Sequence, residues 1–365
     1  MRINIGFMGP FFILALTLNI SVQASGLFSI AEKVPQYQNH QFTSTSLSTV
    51  QQWALEKIEA KKALSLVSNG PIQPVLVAVS DTGIDTHHTY LTTNIFSNLL
   101  ELSTDSRSNF DDDLNGFIDD FYGWNFEEQS NDIEDDFNHG THVAGIIGAK
   151  ENSSNGVVGV NPNATLLPIK WMKKGSGWPA DAVQTIYYAI KMKARILNTS
   201  WGGIGRFPAL VEAMKAAEKA DLLIIASAGN GKNNNDIAPK HPSHFTTEYS
   251  NVIAVGNSGK NDELDPSSNF GKKSVDFAAP GVSILSTIPD SRYYELTGTS
   301  MSAAIVSGVA SLMLAANPSL TASEIKSIFS ETVDPILNAS DKLKTPGRIN
   351  AYRAVQMAIR KKHRI

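Results

Sequence analysis

Apolar positions along this chain of 365 residues follow two rhythms. Short aliphatic runs at 74–79, 165–169, 194–199, 222–227 and 252–255 are rich in β-branched residues and show little polar alternation. That is the pattern of strands buried on both faces, as in a parallel sheet. At 48–66, 180–193 and 208–220 the apolar residues recur every three to four positions, which predicts amphipathic helices. Alternation of the two predicts an α/β fold, with a doubly wound, mostly parallel central sheet and helices on both faces. The run 301–316 is apolar almost all round and predicts a buried helix, preceded by a strand-rich stretch and followed by helices at 322–331 and 350–359. With no repeat, linker or composition break, a single domain over 48–365 is expected.

The first 24 residues read differently. Arg2 precedes an apolar run over 7–20, and Val22-Gln23-Ala24 has the small-x-small pattern of a cleavage site. Asn19 cuts the run short of the ~20 apolar residues a spanning helix needs. A signal peptide over 1–24 is expected, and with it a secreted or periplasmic protein free of the membrane after cleavage. An uncleaved anchor is the alternative. Residues 25–47 lack periodicity and are expected to form a loose N-terminal arm or short pro-segment.

A net charge of −4 supplies no electrostatic case for nucleic acid or an anionic membrane as partner. Cysteine is absent, which excludes disulfides and a thiol nucleophile. A monomer is expected.

The chemistry collects at strand ends and helix starts, where open parallel sheets bind ligands. Gly298-Thr299-Ser300-Met301-Ser302 opens the buried helix, so the Ser300 hydroxyl lies among unpaired amides that stabilise negative charge. A capping serine would sit there too. Asp81-Thr82-Gly83-Ile84-Asp85 ends the first central strand. Asn138-His139-Gly140-Thr141-His142-Val143-Ala144-Gly145 places two histidines three apart on a small-residue helix, and chemistry alone does not choose between them. Ala226-Ser227-Ala228-Gly229-Asn230-Gly231 ends a strand in a glycine turn with a side-chain amide able to donate to an oxyanion. One Asp, one His, one amide and one Ser cover the roles of acyl transfer: serine needs an imidazole base, and the imidazole a carboxylate to hold its tautomer.

The order Asp…His…Ser, with Asp81-Thr82-Gly83-Ile84, His139-Gly140-Thr141-His142-Val143-Ala144-Gly145 and Gly298-Thr299-Ser300-Met301-Ser302-Ala303, resembles the subtilisin-like serine proteases, or subtilases. The resemblance implies a serine endopeptidase with Asp81, His139 and Ser300 as triad and Asn230 as oxyanion donor, and leaves His142 a packing role. It also implies substrate-binding segments at Gly175-Ser176-Gly177 and at Ser200-Trp201-Gly202, which would take a protein or peptide as an extended strand. Gly229, at the wall of the specificity pocket, suggests room for a large apolar side chain before the cleaved bond, with otherwise broad specificity. Two features depart from the family. Ala304-Ile305 replaces the usual Pro-His, for which altered packing is expected, and only 23 residues separate Ala24 from Ser48, too few for an independent folding pro-domain.

The acidic segment Asp111-Asp112-Asp113-Leu114-Asn115-Gly116-Phe117-Ile118-Asp119-Asp120 sets oxygen ligands around a turn-forming glycine, but Tyr122 stands where an EF-hand loop needs its bidentate Glu. It is similar to an acidic calcium loop of many subtilases, which implies a structural calcium on Asp111, Asp113, Asn115, Asp119 and Asp120. No cofactor is expected for catalysis. Two other functions remain in view: an inactive peptide-binding relative, and an esterase, which lacks its G-x-S-x-G elbow here.

Overall fold

Neighbouring residues of the central strands feed two different cores. Val77 and Val79 belong to one and Ala78 to the other; Leu223 and Ile225 to one and Ile224 to the other. The period of two is the pleat of a strand covered on both faces, which is why the aliphatic runs show so little polar alternation.

The computed structural model describes residues 28–30, 52–68, 73–101, 109–150 and 156–362. The expected signal peptide lies outside the described residues. In chain order come β1 (Phe28–Ser29), α1 (Trp53–Lys57), α2 (Ala60–Val67), β2 (Leu76–Asp81), β3 (Trp124–Asn125) and α3 (His139–Gly148). They are followed by β4 (Thr165–Lys170), β5 (Ser176–Gly177), α4 (Pro179–Lys191), β6 (Ile196–Thr199), α5 (Pro208–Lys219) and β7 (Leu223–Ser227). The last third holds β8 (Val252–Ser258), β9 (Phe277–Pro280), the hairpin of β10 (Ile284–Ile288) and β11 (Arg292–Leu296), and α6 (Thr299–Ala316). α7 (Ala322–Thr332), β12 (Asp334–Pro335), β13 (Gly347–Arg348) and α8 (Ala351–Lys362) close the chain.

Nine strands form the central sheet in the order β12-β13-β9-β8-β7-β6-β2-β4-β3. All its pairings are parallel except β12 with β13. Residues of α2, α3, α6, α7 and α8 fill the core on one face, and those of α4 and α5 fill the core on the other. This is the doubly wound α/β fold expected. α6 is the one helix among the described residues apolar and long enough to cross a membrane, and it is buried in the protein core.

Two local expectations change. The helix expected over 48–66 is two helices within the described residues, because Glu59 takes a left-handed φ of 60° between them. The carbonyls just before the break are engaged by the end of the chain: Arg348 Nη1 donates to Lys57 O at 2.9 Å, and Ala351 N to Ile58 O at 2.8 Å. Residues 28–30, expected within an irregular arm, include a strand, β1, paired with β5.

Candidate active site

Asp81 is the last residue of β2 and His139 the first of α3, 58 positions apart in the chain. The chain between them is strapped so that the two side chains meet. Gly83 turns at φ +108°, where an added Cβ would lie 2.5 Å from the Ile133 carbonyl, and Ile84 N donates to that carbonyl at 2.9 Å. Gly140 approaches the same turn so closely that a Cβ would stand 2.0 Å from the Gly83 carbonyl. His139 Nδ1 donates to Asp81 Oδ1 at 2.7 Å, and Thr82 N to the same oxygen at 2.8 Å, with both side chains buried.

Asp135, which the sequence reading missed, is the hub of this strap. Its carboxylate accepts from the hydroxyls of Thr82 (2.7 Å) and Thr141 (2.6 Å) and from the amides of Phe137, Asn138 and Thr141 (3.0, 3.0 and 2.9 Å). Thr82 Oγ1 accepts in turn from Gly140 N at 3.0 Å. One carboxylate thereby ties the residue after Asp81 to the residues on both sides of His139. No cap signal marks it in the sequence, since the N-cap position of α3 is Asn138 and Asp135 lies three residues earlier.

The second histidine has another environment. His142 is buried, and its Nε2 donates to the Tyr294 carbonyl at 3.0 Å. Burial pushes its pKa down to about 3, so it is neutral near pH 7.

Ser300 stands in the first turn of α6, 2 % exposed, after Gly298, whose amide donates to Gly281 O at 2.8 Å. Its hydroxyl donates to the Ser200 carbonyl at 3.1 Å, and Ser200 Oγ donates to the Ser300 carbonyl at 3.0 Å. Asn198 Nδ2 supports Ser200 Oγ at 2.9 Å, and Ser307 Oγ donates to Asn198 Oδ1 at 2.9 Å. This polar thread from β6 into α6 sets where Ser300 lies relative to the sheet. Ala304 and Ile305 are fully buried in the apolar core on the following turn.

Asn230 follows β7. Its Oδ1 accepts from Thr299 N and from Thr299 Oγ1, both at 2.9 Å, while Thr299 Oγ1 accepts from Gly229 N at 3.0 Å. An N–H cannot donate to an NH2 group, so these bonds assign the amide and direct its Nδ2 away from Thr299. Gly229, at φ +105°, packs so tightly that a Cβ would lie 2.5 Å from Asn269 Nδ2. Beside Asn230 opens a cavity of about 260 Å3 whose lining includes Ser227, Gly229, Asn233, Lys240 and Asn269. Ile204, Ala228, Gly202 and Gly203 also line it, so its walls are mixed in polarity.

The two segments expected to hold an extended peptide lie on either side of β1. Gly175, Ser176 and Gly177 border one edge of it and Gly202 the other. Trp201 is buried, with Nε1 donating to Ser80 Oγ at 3.1 Å.

The acidic segment is only partly gathered. The carboxylates whose oxygens lie within 4.8 Å of one another are Asp113, Asp120 and Glu101, the last missed because it precedes the motif by ten residues. Burial, with help from Asp113 and Asp120, raises the pKa of Glu101, and burial raises that of Asp120 despite donors from Tyr188, Asn98 and Asn115. Asp111 instead accepts backbone amides of its own turn, from Asn115 at 2.8 Å and Gly116 at 2.6 Å, and Asp119 accepts Asn109 N at 3.1 Å. The Asn115 side chain points its Nδ2, not its oxygen, at Asp113 and Asp120.

A doubly wound sheet with a buried carboxylate–imidazole pair and a serine at a helix start defines a class of hydrolase-like proteins, and comparison with known families places the chain within it. The sequence model of the Subtilase family, peptidase S8, matches residues 73–354, and the chain belongs to that family. It is 34 % identical over 328 residues to Subtilisin-like protease 1 of Plasmodium berghei (strain Anka), covering 86 % of this chain and 54 % of that protein. It is 32 % identical over 306 residues to Thermitase of Thermoactinomyces vulgaris, covering 84 % of this chain and 96 % of that one. A Thermophilic serine proteinase of Bacillus sp. (strain AK1) is 34 % identical over 280 residues, 76 % of this chain and 61 % of its own. The chain thus spans about half the length of the first of these relatives.

Proposed function

We propose that the protein is an exported serine endopeptidase in which Ser300 attacks the peptide carbonyl, His139 carries the proton and Asp81 holds the imidazole. The observation that carries this reading is the buried Asp81–His139 pair at 2.7 Å, clamped by Asp135. With Nδ1–H given to Asp81, the imidazole offers Nε2 as the basic nitrogen. Ser300 Oγ, turning from the Ser200 carbonyl, gives its proton to Nε2 as it bonds to the substrate carbon. Collapse of the tetrahedral species breaks the C–N bond, and Nε2 returns the proton to the leaving amine. Water repeats the sequence on the acyl-enzyme. Asn230 Nδ2 and the first amides of α6 stabilise the oxyanion. Relatives named as proteases support the reading, and Arg2 ahead of the apolar run over 7–20 supports export.

The substrate lies extended between the 175–177 edge and Gly202, read mostly through its backbone, which gives broad specificity. A large apolar side chain before the cut bond is taken by the cavity beside Asn230, whose lining includes Gly229, Ala228 and Ile204 along with polar groups. Calcium serves stability and not the reaction. Glu101, Asp113 and Asp120 form an oxygen-only donor set, two of them buried, which fits a hard cation.

A fluorophosphonate probe with mass mapping tests the reading. Labelling at Ser300, lost in Ser300→Ala and reduced in His139→Ala by roughly 10⁴-fold or more, is expected. Folded protein that never labels would be the inactive peptide-binding relative, and labelled protein that cleaves esters but no peptide would be an esterase.

A further inference from the structure

The cavity beside Asn230 holds one charge that nothing in it answers. Lys240 is the single charged side chain of the lining, and it is half-buried. Among the described residues its ammonium has no hydrogen-bond acceptor and no ion-pair partner. The two carboxylates that flank it in the chain are committed elsewhere. Asp236 accepts from the amides of Lys273 and Ser274 and from the Ser274 hydroxyl, and Glu248 pairs with Arg206 at 2.8 Å.

The Asn269 amide on the same wall is spent internally. Its Oδ1 accepts from Gly231 N and Asn233 N, both at 2.9 Å, and its Nδ2 donates to the Ala228 carbonyl at 2.9 Å and to Asn235 Oδ1 at 3.1 Å. The backbone that carries Lys240 is fixed. His241 exchanges two main-chain hydrogen bonds with Gly203, each 3.0 Å, and the Lys240 carbonyl accepts from His244 N at 2.7 Å and from Ser243 Oγ at 3.0 Å. Lys240 is thereby held at the cavity wall next to Gly203, while its four-carbon stem leaves the ammonium free to follow what enters.

An unpaired cation at the wall of a cavity sorts its contents by charge. A carboxylate gains a charge-assisted hydrogen bond there, and a second cation meets like charge in partly desolvated surroundings. An apolar side chain packs on Gly229, Ala228 and Ile204 and on the methylene stem of Lys240, whose ammonium turns to water.

We propose that Lys240 sets the charge preference of this cavity: beside large apolar side chains it takes the carboxylate of a glutamate before the cut bond, and it turns lysine and arginine away. The inference rests on the endopeptidase reading above and deepens it.

The test compares internally quenched peptides that differ only in the residue before the cut bond, Glu, Gln or Lys, with the cut located by mass spectrometry and the full chain as enzyme. Glu and Gln share a shape and differ in charge. The expected kcat/KM for Glu exceeds that for Gln by roughly tenfold or more, and that for Lys by roughly a hundredfold. Lys240→Met removes the ratio of Glu to Gln, Lys240→Arg keeps it, and Lys240→Glu reverses the order of Glu and Lys. Each ratio is taken within one variant, so a general loss of rate or of folded protein cancels. A second measurement needs no turnover. In Ser300→Ala, a fluorescein-labelled peptide with Glu at that position binds more tightly than its Gln twin by anisotropy, and adding Lys240→Met removes the difference. Equal handling of Glu and Gln by the parent chain, or a ratio that survives Lys240→Met, overturns the proposal. Cleavage of none of the peptides, with the binding difference present, would sink the endopeptidase reading and leave this one standing.

Discussion

Asn230 Oδ1 accepts two hydrogen bonds from one residue, the amide and the hydroxyl of Thr299, each at 2.9 Å. Thr299 precedes Ser300, so the helix that carries the serine also aims the amide. Thr299→Val removes the hydroxyl bond and strands Gly229 N. It is expected to lower kcat for peptide hydrolysis about tenfold with KM little changed, while Asn230→Ala lowers kcat by roughly 10²–10³. Thr299→Ser should restore the rate. A Thr299→Val enzyme as fast as the parent would place the orientation of Asn230 on the backbone bond alone.

Asp135 is a positioning residue, since it reaches the proposed chemistry only through Thr82, Thr141 and the loop before His139. Asp135→Ala leaves five donors without their acceptor, and charged hydrogen bonds are worth ~1.5–3 kcal/mol each. A loss of several kcal/mol in denaturant unfolding is expected, together with a drop in kcat of ten- to a hundredfold. Asp135→Asn, which keeps one acceptor oxygen, should recover part of both. Recovery of stability without recovery of kcat would make Asp135 structural only.

His142 predicts a pH dependence of stability. Its folded pKa of about 3 lies below the unfolded value of 6.5. Between these, the unfolded chain binds a proton that the folded one does not. The stabilisation is complete above about pH 6.5 and is lost as pH falls towards 3, at up to ~1.4 kcal/mol per pH unit. His142→Gln keeps a donor for the Tyr294 carbonyl and removes the titration. Urea unfolding at pH 7, 6 and 5 should show a flatter profile for this variant, and an unchanged slope would assign the acid sensitivity elsewhere.

Calcium at about a hundredfold above its Kd adds ~2.7 kcal/mol, so chelation should lower Tm by roughly 3–5 °C in a domain of this size. Glu101→Gln should abolish most of that shift. A chelator effect that survives Glu101→Gln but not Asp111→Asn would restore the ligand set expected from the motif.

The sheet, its two cores and the helix that begins at Thr299 were legible in the residues alone, because strand and helix periodicity are local properties and burial on both faces leaves no polar alternation. Asp81, His139 and Ser300 stood out as candidates through three motifs in one order, and Asn230 through the glycine turn that ends a strand. Other decisions belonged to contacts between distant segments. His139 and His142 share a helix and are both buried; what separates them is that one meets Asp81 across the strap and the other the Tyr294 carbonyl. Glu101, ten residues before the motif, comes beside Asp113 and Asp120 only in the folded chain, while Asp111 accepts amides of its own turn. The break at Glu59 depended on Arg348 and Ala351, nearly the whole chain away. Phe28 belongs to the same class. Nothing in the pattern of residues 25–47 marks it, since a strand of two residues has no periodicity of its own; only the groove between Gly177 and Gly202 makes it one.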